Sequence, residues 1–410
     1  MVGTFETIFL FVYLITFVET SASDSSLKYK ATDVTYYGVR EETTSLKSEM
    51  QCCIYCSQSQ CCEGVIFDEP TKTCKVLYGI KEVSTALVQE KAWILTTLPK
   101  PKFDKFLLST GSSVAEIVDF DKKTSYPTEL TYPLNVWYAF GGQITDEKML
   151  FCGGGKWGPG DGQYEKCYHL DIYQMETGFI ESQTPLSIPR FKGASVVIRG
   201  LGLWVLGGIN TVSGVTTYFK TTELVTLSQN MAGPDLPDTW AKMCAVKVSD
   251  KTTFIGGGDY SGKDTSKTTY FYKMKSPENI FDGEWIQGPD MLLARSDLSC
   301  GLLTLNSKSY IVATGGMSSD GQQLNTVEIL DLTANTWTVG NPLPDPVAWH
   351  ILVAPENQNL RILNSKSIYE MECLTDHPID CTWKRTNQKL LQNRSNSLAI
   401  PISLNICTEK

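Results

Sequence analysis

One stretch of sequence decides the fold: Ala313-Thr314-Gly315-Gly316, then Thr326-Val327-Glu328-Ile329-Leu330-Asp331, then Asn335-Thr336-Trp337. It consists of an apolar segment that ends in two glycines, a variable loop, a second apolar segment, and a turn before a tryptophan. Short apolar segments rich in β-branched residues and bounded by turn residues predict β-strands. Glycine lets the backbone turn sharply and approach its neighbours closely, so the paired glycines predict a structural role rather than a ligand contact.

The same pattern recurs about every 50 to 60 residues along the chain, a spacing that is typical of solenoids and propellers. Apolar strands end in glycine pairs at Gly153 and Gly154, Gly207 and Gly208, Gly256 and Gly257, and Gly315 and Gly316. A third strand follows each pair, and a fourth strand often carries an aromatic residue, at Phe179, Trp285, Trp337 and Trp383. The repeat therefore predicts units of four strands.

This arrangement resembles the kelch repeat family, and the resemblance covers roughly 300 residues. Two units depart from the family pattern. The unit near residues 361–364 lacks its glycines, and the second lacks a clear fourth-strand tryptophan unless Trp240 substitutes.

The two ends of the repeat region look like parts of one unit. Residues 106–111 and 115–120 read as the second and third strands of a unit without a first strand, and residues 398–404 read as a lone strand. Pairing them closes the ring, and closure removes unpaired sheet edges. The predicted fold is therefore mainly β, a six-bladed kelch-type β-propeller over residues 104–410 that is closed by N- and C-terminal strands.

The N-terminus reads as a targeting segment. Residues 8–18 form an apolar run too short to span a bilayer, and small residues follow at Thr20, Ser21, Ala22 and Ser23. We therefore expect residues 1–22 to be a secretory signal peptide and the protein to be extracellular. The segment contains Glu6 and no Lys or Arg, so a buried N-terminal strand is the alternative. No second long apolar run exists, so we expect no membrane span.

Residues 24–97 hold six of the 13 cysteines, and a small module that cannot build a large core needs such covalent links. Residues 44–58 predict a short helix, and residues 63–67 and 73–77 predict strands. The cysteine pattern at Cys52, Cys56, Cys62 and Cys74 resembles the apple (PAN) family, a small α+β domain stapled by disulfides. That resemblance implies Cys52–Cys74 and Cys56–Cys62 bridges, and the extra Cys53 and Cys61 would allow a third. Zinc binding at the Cys53-x2-Cys56 spacing is the alternative, but no histidine lies near. Residues 98–103, with Pro99 and Pro101, predict a stiff linker.

The remaining cysteines predict local disulfides in the propeller. Cys152 and Cys167 flank one glycine-rich loop, and Cys373 and Cys381 flank another short polar loop. Cys244 and Cys300 lie near the starts of successive units and could meet across blades. Cys407 is the candidate for an unpaired thiol, which would allow self-association, because the number of cysteines is odd.

The sequence contains few groups that could act in catalysis, bind a cofactor or ligate a metal. We therefore predict no catalytic residues and no cofactor, and that the protein is not an enzyme. The histidines His169, His350 and His377 fall in separate units. A glycine motif at residues 153–158 lacks the following helix that a dinucleotide requires, because Pro159 and Gly160 come next. A second motif at residues 257–263 has Asp264 where a phosphate-binding loop needs Ser or Thr.

A secreted binding protein is the function that these features predict. The net charge of −9 disfavours nucleic acid, which demands clustered Lys and Arg. Recognition of an extracellular protein or glycan would use the variable loops or the apple-like module. Asn393 begins an N-glycosylation sequon. A cross-linked structural or matrix component is the first alternative, and an extracellular propeller oxidase or glycosidase is the second. The loops in question are residues 156–166, 210–219, 259–269 and 318–323.

Overall fold

The structure is a computed structural model, and the residues it describes are 29–33, 40–45, 64–68, 71–78, 91–95, 105–110, 112–120, 122–134, 136–145, 148–156, 163–172, 175–198, 200–260, 265–277, 279–354, 359–375, 377–393 and 397–402. The predicted signal peptide (1–22) and linker (98–103) lie outside these residues, as do Cys52, Cys53, Cys56, Cys61, Cys62 and Cys407. Contacts divide the chain into two compact units, Met1–Lys102 with Leu404–Lys410 and Phe103–Ser403.

The N-terminal unit contains five strands, β1 (Tyr29–Asp33), β2 (Arg40–Ser45), β3 (Gly64–Asp68), β4 (Thr73–Tyr78) and β5 (Lys91–Leu95). They form an antiparallel sheet in the order β1-β5-β3-β4-β2. Because β2 ends at Ser45, the helix predicted to start at Thr44 is wrong for its first two residues, and residues 46–58 lie outside the described part. Cys74 is buried in β4 and is disulfide-bonded, and its predicted partner Cys52 is not among the described residues. The apple-like assignment therefore stays a prediction.

The second unit is a β-propeller of six four-stranded antiparallel sheets. Blade 1 has β9 (Phe140–Gln143), β10 (Lys148–Cys152), β11 (Cys167–Asp171) and β12 (Ile180–Glu181). Blade 2 has β13 (Ala194–Ile198), β14 (Gly202–Leu206), β17 (Thr222–Val225) and β18 (Asn230–Gly233). Blade 3 has β20 (Cys244–Ser249), β21 (Thr252–Gly256), β23 (Thr269–Lys273) and β24 (Glu284–Gln287).

The remaining three blades follow the same order. Blade 4 has β25 (Ser299–Leu305), β26 (Lys308–Thr314), β27 (Val327–Asp331) and β28 (Thr336–Gly340). Blade 5 has β29 (Ile351–Val353), β30 (Arg361–Asn364), β31 (Ser367–Cys373) and β32 (Cys381–Lys389). Blade 6 has β33 (Leu398–Ile402), β6 (Lys105–Thr110), β7 (Ser112–Asp119) and β8 (Thr124–Thr131).

Short accessory elements decorate the blades. They are the hairpin β15 (Ile209–Val212) and β16 (Val215–Tyr218), the pair β19 (Trp240–Ala241) and β22 (Asp259–Tyr260), and 3-10 helices at Met175–Thr177, Ile280–Asp282 and Pro378–Asp380. Within the described part of the chain, no helix has the length and apolar character needed to cross a bilayer.

The first strands of the six blades contact one another in a closed ring, β9-β13-β20-β25-β29-β33. Apolar side chains from neighbouring blades fill the space between the sheets, so the second strands are covered on both faces. In β14, for example, Leu203, Trp204, Val205 and Leu206 are fully buried. Burial on both faces explains why these strands read as unbroken apolar runs and do not alternate with polar residues.

The prediction that the ends of the repeat region share a blade is confirmed. Strand β33 pairs antiparallel with β6, from Leu398 opposite Ser109 to Ile402 opposite Lys105. The imino nitrogen of Pro401 cannot donate a hydrogen bond, and β33 tolerates it because this strand is the edge of its sheet. Chain ends that are far apart in sequence thus close the ring.

Deleting residues 396–410 should abolish cooperative thermal unfolding, because it removes β33 and leaves β6 as an unpaired apolar edge. The matched control is deletion of residues 403–410, which lie beyond β33 and include Cys407. Circular dichroism melts measure both variants. If the longer deletion melts as cooperatively as the full chain, ring closure through β33 does not hold the propeller together.

Three disulfides lie in the described part of the propeller. Cys152–Cys167 and Cys373–Cys381 link directly opposed residues of neighbouring strands within one blade. Cys244–Cys300 instead joins the first strands of blades 3 and 4, with 5.6 Å between the Cα atoms. This bridge therefore ties two blades together.

Replacing Cys244 and Cys300 by alanine should lower the free energy of unfolding more than the matched pair Cys373→Ala and Cys381→Ala. The sequence separations are 56 and 8 residues. Loop entropy of the unfolded chain then gives about 4 and about 2.5 kcal/mol. Denaturant unfolding of both double variants measures the difference, and equal losses would contradict a role in constraining the unfolded chain.

Candidate binding site on the propeller

Five blades are entered through a residue in the left-handed backbone conformation, two positions before the first strand. We call these five the collar residues: Tyr138, Lys192, Lys242, Asp297 and Trp349, with φ values of 58, 57, 54, 51 and 56°. A residue with a side chain adopts this conformation only at an energetic cost, so it persists where the surrounding structure enforces it.

Backbone hydrogen bonds between blades enforce the collar geometry. The Lys242 N–H donates to the Lys192 carbonyl at 2.6 Å, and the Asp297 N–H donates to the Lys242 carbonyl at 2.9 Å. The Trp349 N–H donates to the Asp297 carbonyl at 3.1 Å, which extends this series of hydrogen bonds. The four collar residues from Lys192 to Trp349 are thus linked along the inner rim of the ring, and their side chains are presented from a fixed backbone.

The glycine pairs bind the segments that join one blade to the next. We call these segments the blade linkers, and five of them contain one collar residue each. The second glycine of a pair donates its N–H to the linker entering the next blade: Gly208 to the Trp240 carbonyl at 2.7 Å and Gly258 to the Arg295 carbonyl at 2.8 Å. Both glycines have positive φ, and a Cβ atom on Gly208 would lie 2.7 Å from the Phe191 carbonyl oxygen. Only glycine fits this close approach of two backbones.

The pair in blade 3 corrects the sequence prediction. Gly256 is the last residue of β21, and the two glycines with positive φ are Gly257 and Gly258. The assignment of Gly256 and Gly257 is therefore one residue early. Because three glycines follow one another, the sequence does not show which two form the pair. The hydrogen bond from Gly258 to the next linker identifies Gly258 as the second glycine. The pairs at 153–154, 207–208 and 315–316 have positive φ as a pair.

Buried Arg–Glu pairs fix two of the linkers two residues before the collar. Arg190 contacts Glu223 at 2.6 Å, and Arg295 contacts Glu328 at 2.5 Å. The Arg295 guanidinium also donates to the Gly315 carbonyl at 2.9 Å, which ties the linker to the glycine pair of its own blade. Because both partners are almost fully buried, removing either would leave an uncompensated charge.

Trp240 occupies the equivalent position in front of blade 3. Its indole N–H donates to the Gly257 carbonyl at 2.6 Å, and its ring meets Tyr270 edge to face at 5.7 Å. The suggestion that Trp240 substitutes for a fourth-strand tryptophan in blade 2 is therefore wrong. The fourth strand of that blade is β18, and Trp240 replaces an arginine of the linker.

A cavity of about 410 Å³ opens at this rim. The five collar residues line it, and loops between second and third strands add the rest: Asp259, Thr265, Met317, Ser318, Ser319 and Gly321, with Ser296 from a linker. Two of the loops that the sequence singled out, 259–269 and 318–323, therefore reach this cavity. Loop 210–219 forms the β15–β16 hairpin, whose Val212 and Val215 are exposed. Residues 157–162 of the first loop and 261–264 of the third lie outside the described part.

The charged groups of the cavity are paired with neighbours. The Lys242 ammonium lies 2.5 Å from the Asp259 carboxylate. The Lys192 ammonium lies 5.0 Å from the centre of the Tyr138 ring, a cation–π contact. The Asp297 carboxylate is influenced electrostatically by both Lys242 and Lys192.

Partial burial perturbs these ionisable groups. Burial raises the pKa of Asp297, although the two lysines oppose the shift, and burial lowers the pKa of Lys192. Burial would also lower the pKa of Lys242, but the hydrogen bond with Asp259 and the nearby carboxylates raise it. Ionisable groups with perturbed pKa values that share a concave site are markers of function.

A second cavity, of about 430 Å³, lies where blades 5 and 6 meet. Its polar groups stabilise the contact between these two blades. Arg361 contacts Glu370 at 2.6 Å and stacks over the Phe120 ring at 4.4 Å. The Gln388 amide donates to the Thr124 carbonyl at 3.0 Å. This cavity therefore belongs to the closure of the ring, and the cavity at the collar is the better candidate for a ligand.

The three histidines are placed apart. His169 lies in β11, His350 is buried beside the collar, and His377 caps a 3-10 helix. Among the described residues, no three His, Cys, Asp or Glu side chains form a group that could hold a metal ion. Asn393 is exposed between β32 and β33. Arg394 and Ser395 of its sequon lie outside the described residues, so glycosylation stays a prediction.

The sequence analysis missed the collar because its residue types differ from blade to blade. One local signal does precede it: Arg190, Trp240 and Arg295 each stand two residues before a collar position. That spacing would have found three of the five positions. The feature that all five share is a backbone conformation, and this conformation does not require one residue type at the equivalent positions.

Comparison with known proteins agrees with this architecture. The family model described as Kelch motif matches residues 300–344, which cover β25 to the end of β28 and the start of the next linker. Among 247 matching chains of solved structures is one titled "Structure of YjhT", which is 12% identical with a TM-score of 0.56. The match covers 68% of this chain and 94% of that one. No curated protein matches the sequence. The fold is thus a six-bladed β-propeller, and its fourth blade matches the Kelch motif.

The environment of His350 predicts that the propeller loses stability in acid. Its Nε2 lies 2.8 Å from the Thr314 hydroxyl, its Nδ1 is buried without a partner, and burial, followed by the charge of Arg295, lowers its pKa to about 3. The unfolded histidine binds a proton near its ordinary pKa of about 6.5. The unfolded state therefore binds more protons between these two values, and stability is lost as the pH falls through that range.

We expect the free energy of unfolding to fall by at most about 1.4 kcal/mol per pH unit from this group between pH values of about 6.5 and 3. Chemical denaturation at several pH values, for the wild type and His350→Gln, isolates its contribution. His377→Gln is the matched control, since that side chain caps an exposed turn. Equal pH dependence in the wild type and His350→Gln would contradict the assignment.

Proposed function

We propose that this protein is a secreted recognition protein that binds an extracellular protein or glycan without transforming it. The binding surface is the loop face of the propeller, which is the end that carries the collar residues and the loops between second and third strands. The collar is the observation that carries this proposal. Five side chains of four different types line one cavity, four of them on a hydrogen-bonded backbone rim, and loops of blades 3 and 4 form its wall. A rigid scaffold with variable loops is the usual basis of recognition.

Several features support export. The apolar run at residues 8–18 fits a signal peptide, and seven of the described cysteines are disulfide-bonded, which is typical of oxidising compartments. The sequon at Asn393 and the apple-like cysteine frame fit the same location. The frame also offers a second surface for recognition, and the experiment below separates the two.

The collar side chains can be replaced with little strain in the backbone if the new residue tolerates the left-handed conformation. Asparagine tolerates the left-handed conformation better than other side chains. Lys192→Asn, Asp297→Asn and Trp349→Asn therefore remove the functional groups while retaining the local fold. Matched controls lie at the opposite end of the strands: Asp250→Asn in the turn between β20 and β21, and Lys275→Asn after β23. Both control residues are exposed.

Crosslinking of the full-length secreted protein in native extracellular extract should capture a partner. The collar variants should weaken capture about 10- to 100-fold, as expected for residues at the centre of an interface, and the controls should leave it unchanged. Unchanged capture by all three collar variants would contradict the loop face as the binding surface. Conversion of the captured ligand into a product would contradict binding without turnover.

A further inference from the structure

We infer that the cavity at the collar takes an uncharged, hydroxyl-rich ligand, a neutral carbohydrate. This inference rests on the proposed function and narrows its ligand to one class. It derives from the charge balance, the hydrogen-bonding groups and the aromatic side chains of the cavity, and each of these restricts the ligand in a different way.

The charge balance disfavours an ionic ligand. The described lining residues include two lysines, Lys192 and Lys242, and two aspartates, Asp259 and Asp297. Lys242 is already paired with Asp259, and both lysines influence Asp297 electrostatically. An anionic ligand would approach two partly buried carboxylates, and a cationic ligand would approach two ammonium groups. Neither gains from a net field, so an uncharged ligand loses least on entry.

The polar groups suit a ligand that both donates and accepts hydrogen bonds. The carboxylate of Asp297 accepts, the ammonium of Lys192 donates, and the hydroxyl of Ser319 does both. All three line the same cavity. A sugar hydroxyl acts as a donor and an acceptor, so neighbouring hydroxyls can satisfy this mixed set. Hydrogen bonds to charged groups are also stronger than those between neutral groups.

Aromatic side chains complete the match. Tyr138 and Trp349 lie at the two ends of the five-residue collar and both line the cavity. The apolar C–H face of a pyranose ring packs on aromatic rings, while its hydroxyls point sideways to polar groups. Trp349 also adjoins Asp297 along the collar, because its backbone N–H donates to the Asp297 carbonyl at 3.1 Å. The volume of about 410 Å³ falls within the range of small-molecule sites.

Methyl glycosides of common neutral hexoses and N-acetylhexosamines, together with their disaccharides, are the probes. Saturation-transfer NMR with the full-length protein detects binding, and calorimetric titration measures it. At least one neutral sugar should bind with an affinity that hardly changes with salt concentration, because no net charge is involved. Asp297→Asn and Trp349→Asn should each weaken its binding at least about tenfold, and Asp250→Asn should not.

Two controls keep the test decisive. A thermal melt shows whether each variant is folded, and a competition experiment needs only the wild type: the free sugar should displace the partner captured from extracellular extract. Tighter binding of a uronic acid, an amino sugar or an acidic peptide than of every neutral sugar would overturn the inference. So would no binding by any neutral sugar while collar-dependent capture persists, and in that case the proposed function would stand. Capture that ignores the collar variants overturns both.

Discussion

The backbone hydrogen bond from the second glycine of each pair to the linker of the next blade is the contact on which the propeller depends. Gly154, Gly208, Gly258 and Gly316 all make it, and each does so from a left-handed conformation at the end of a buried strand. The bond fixes where the following blade begins. It also satisfies a backbone carbonyl in a crowded region, where an unpaired polar group would be costly.

This contact separates the fold from the chemistry of the site. The linker backbone is held from both sides, by the glycine pair of the preceding blade and by a buried side chain such as Arg190, Trp240 or Arg295. The collar residue two positions later contributes its N–H or carbonyl to the rim and leaves its side chain to the cavity. Tyrosine, lysine, aspartate and tryptophan therefore occupy equivalent positions without altering the ring.

The blades solve the same structural problem with different side chains. Blades 2 and 4 use a buried Arg–Glu pair, and blade 3 uses Trp240 against Tyr270. Blade 5 lacks the glycine pair, and a two-residue turn joins β30 to β31 in its place. At its far side the seam to blade 6 depends on Arg361, which stacks on Phe120, and on Gln388. The blade without a glycine pair thus lies next to the blade that closes the ring.

The sequence by itself determined the strand order, the six blades and their closure. These features follow from local patterns, namely apolar runs, turn glycines and spaced tryptophans, and from the rule that a propeller leaves no long unpaired edge. The cysteine pairs within a blade were also readable, because the partners of Cys152–Cys167 and Cys373–Cys381 flank short loops.

Only the tertiary structure decided the collar, the cavity and the register of the glycines in blade 3. The collar is a set of backbone conformations imposed by hydrogen bonds from neighbouring blades, whose residues are about 50 positions away in sequence. Likewise, Cys244 meets Cys300 only because the ring packs two first strands side by side. A local pattern carries no record of such contacts, so side chains as different as Lys242 and Trp349 reveal their equivalence only in the folded ring.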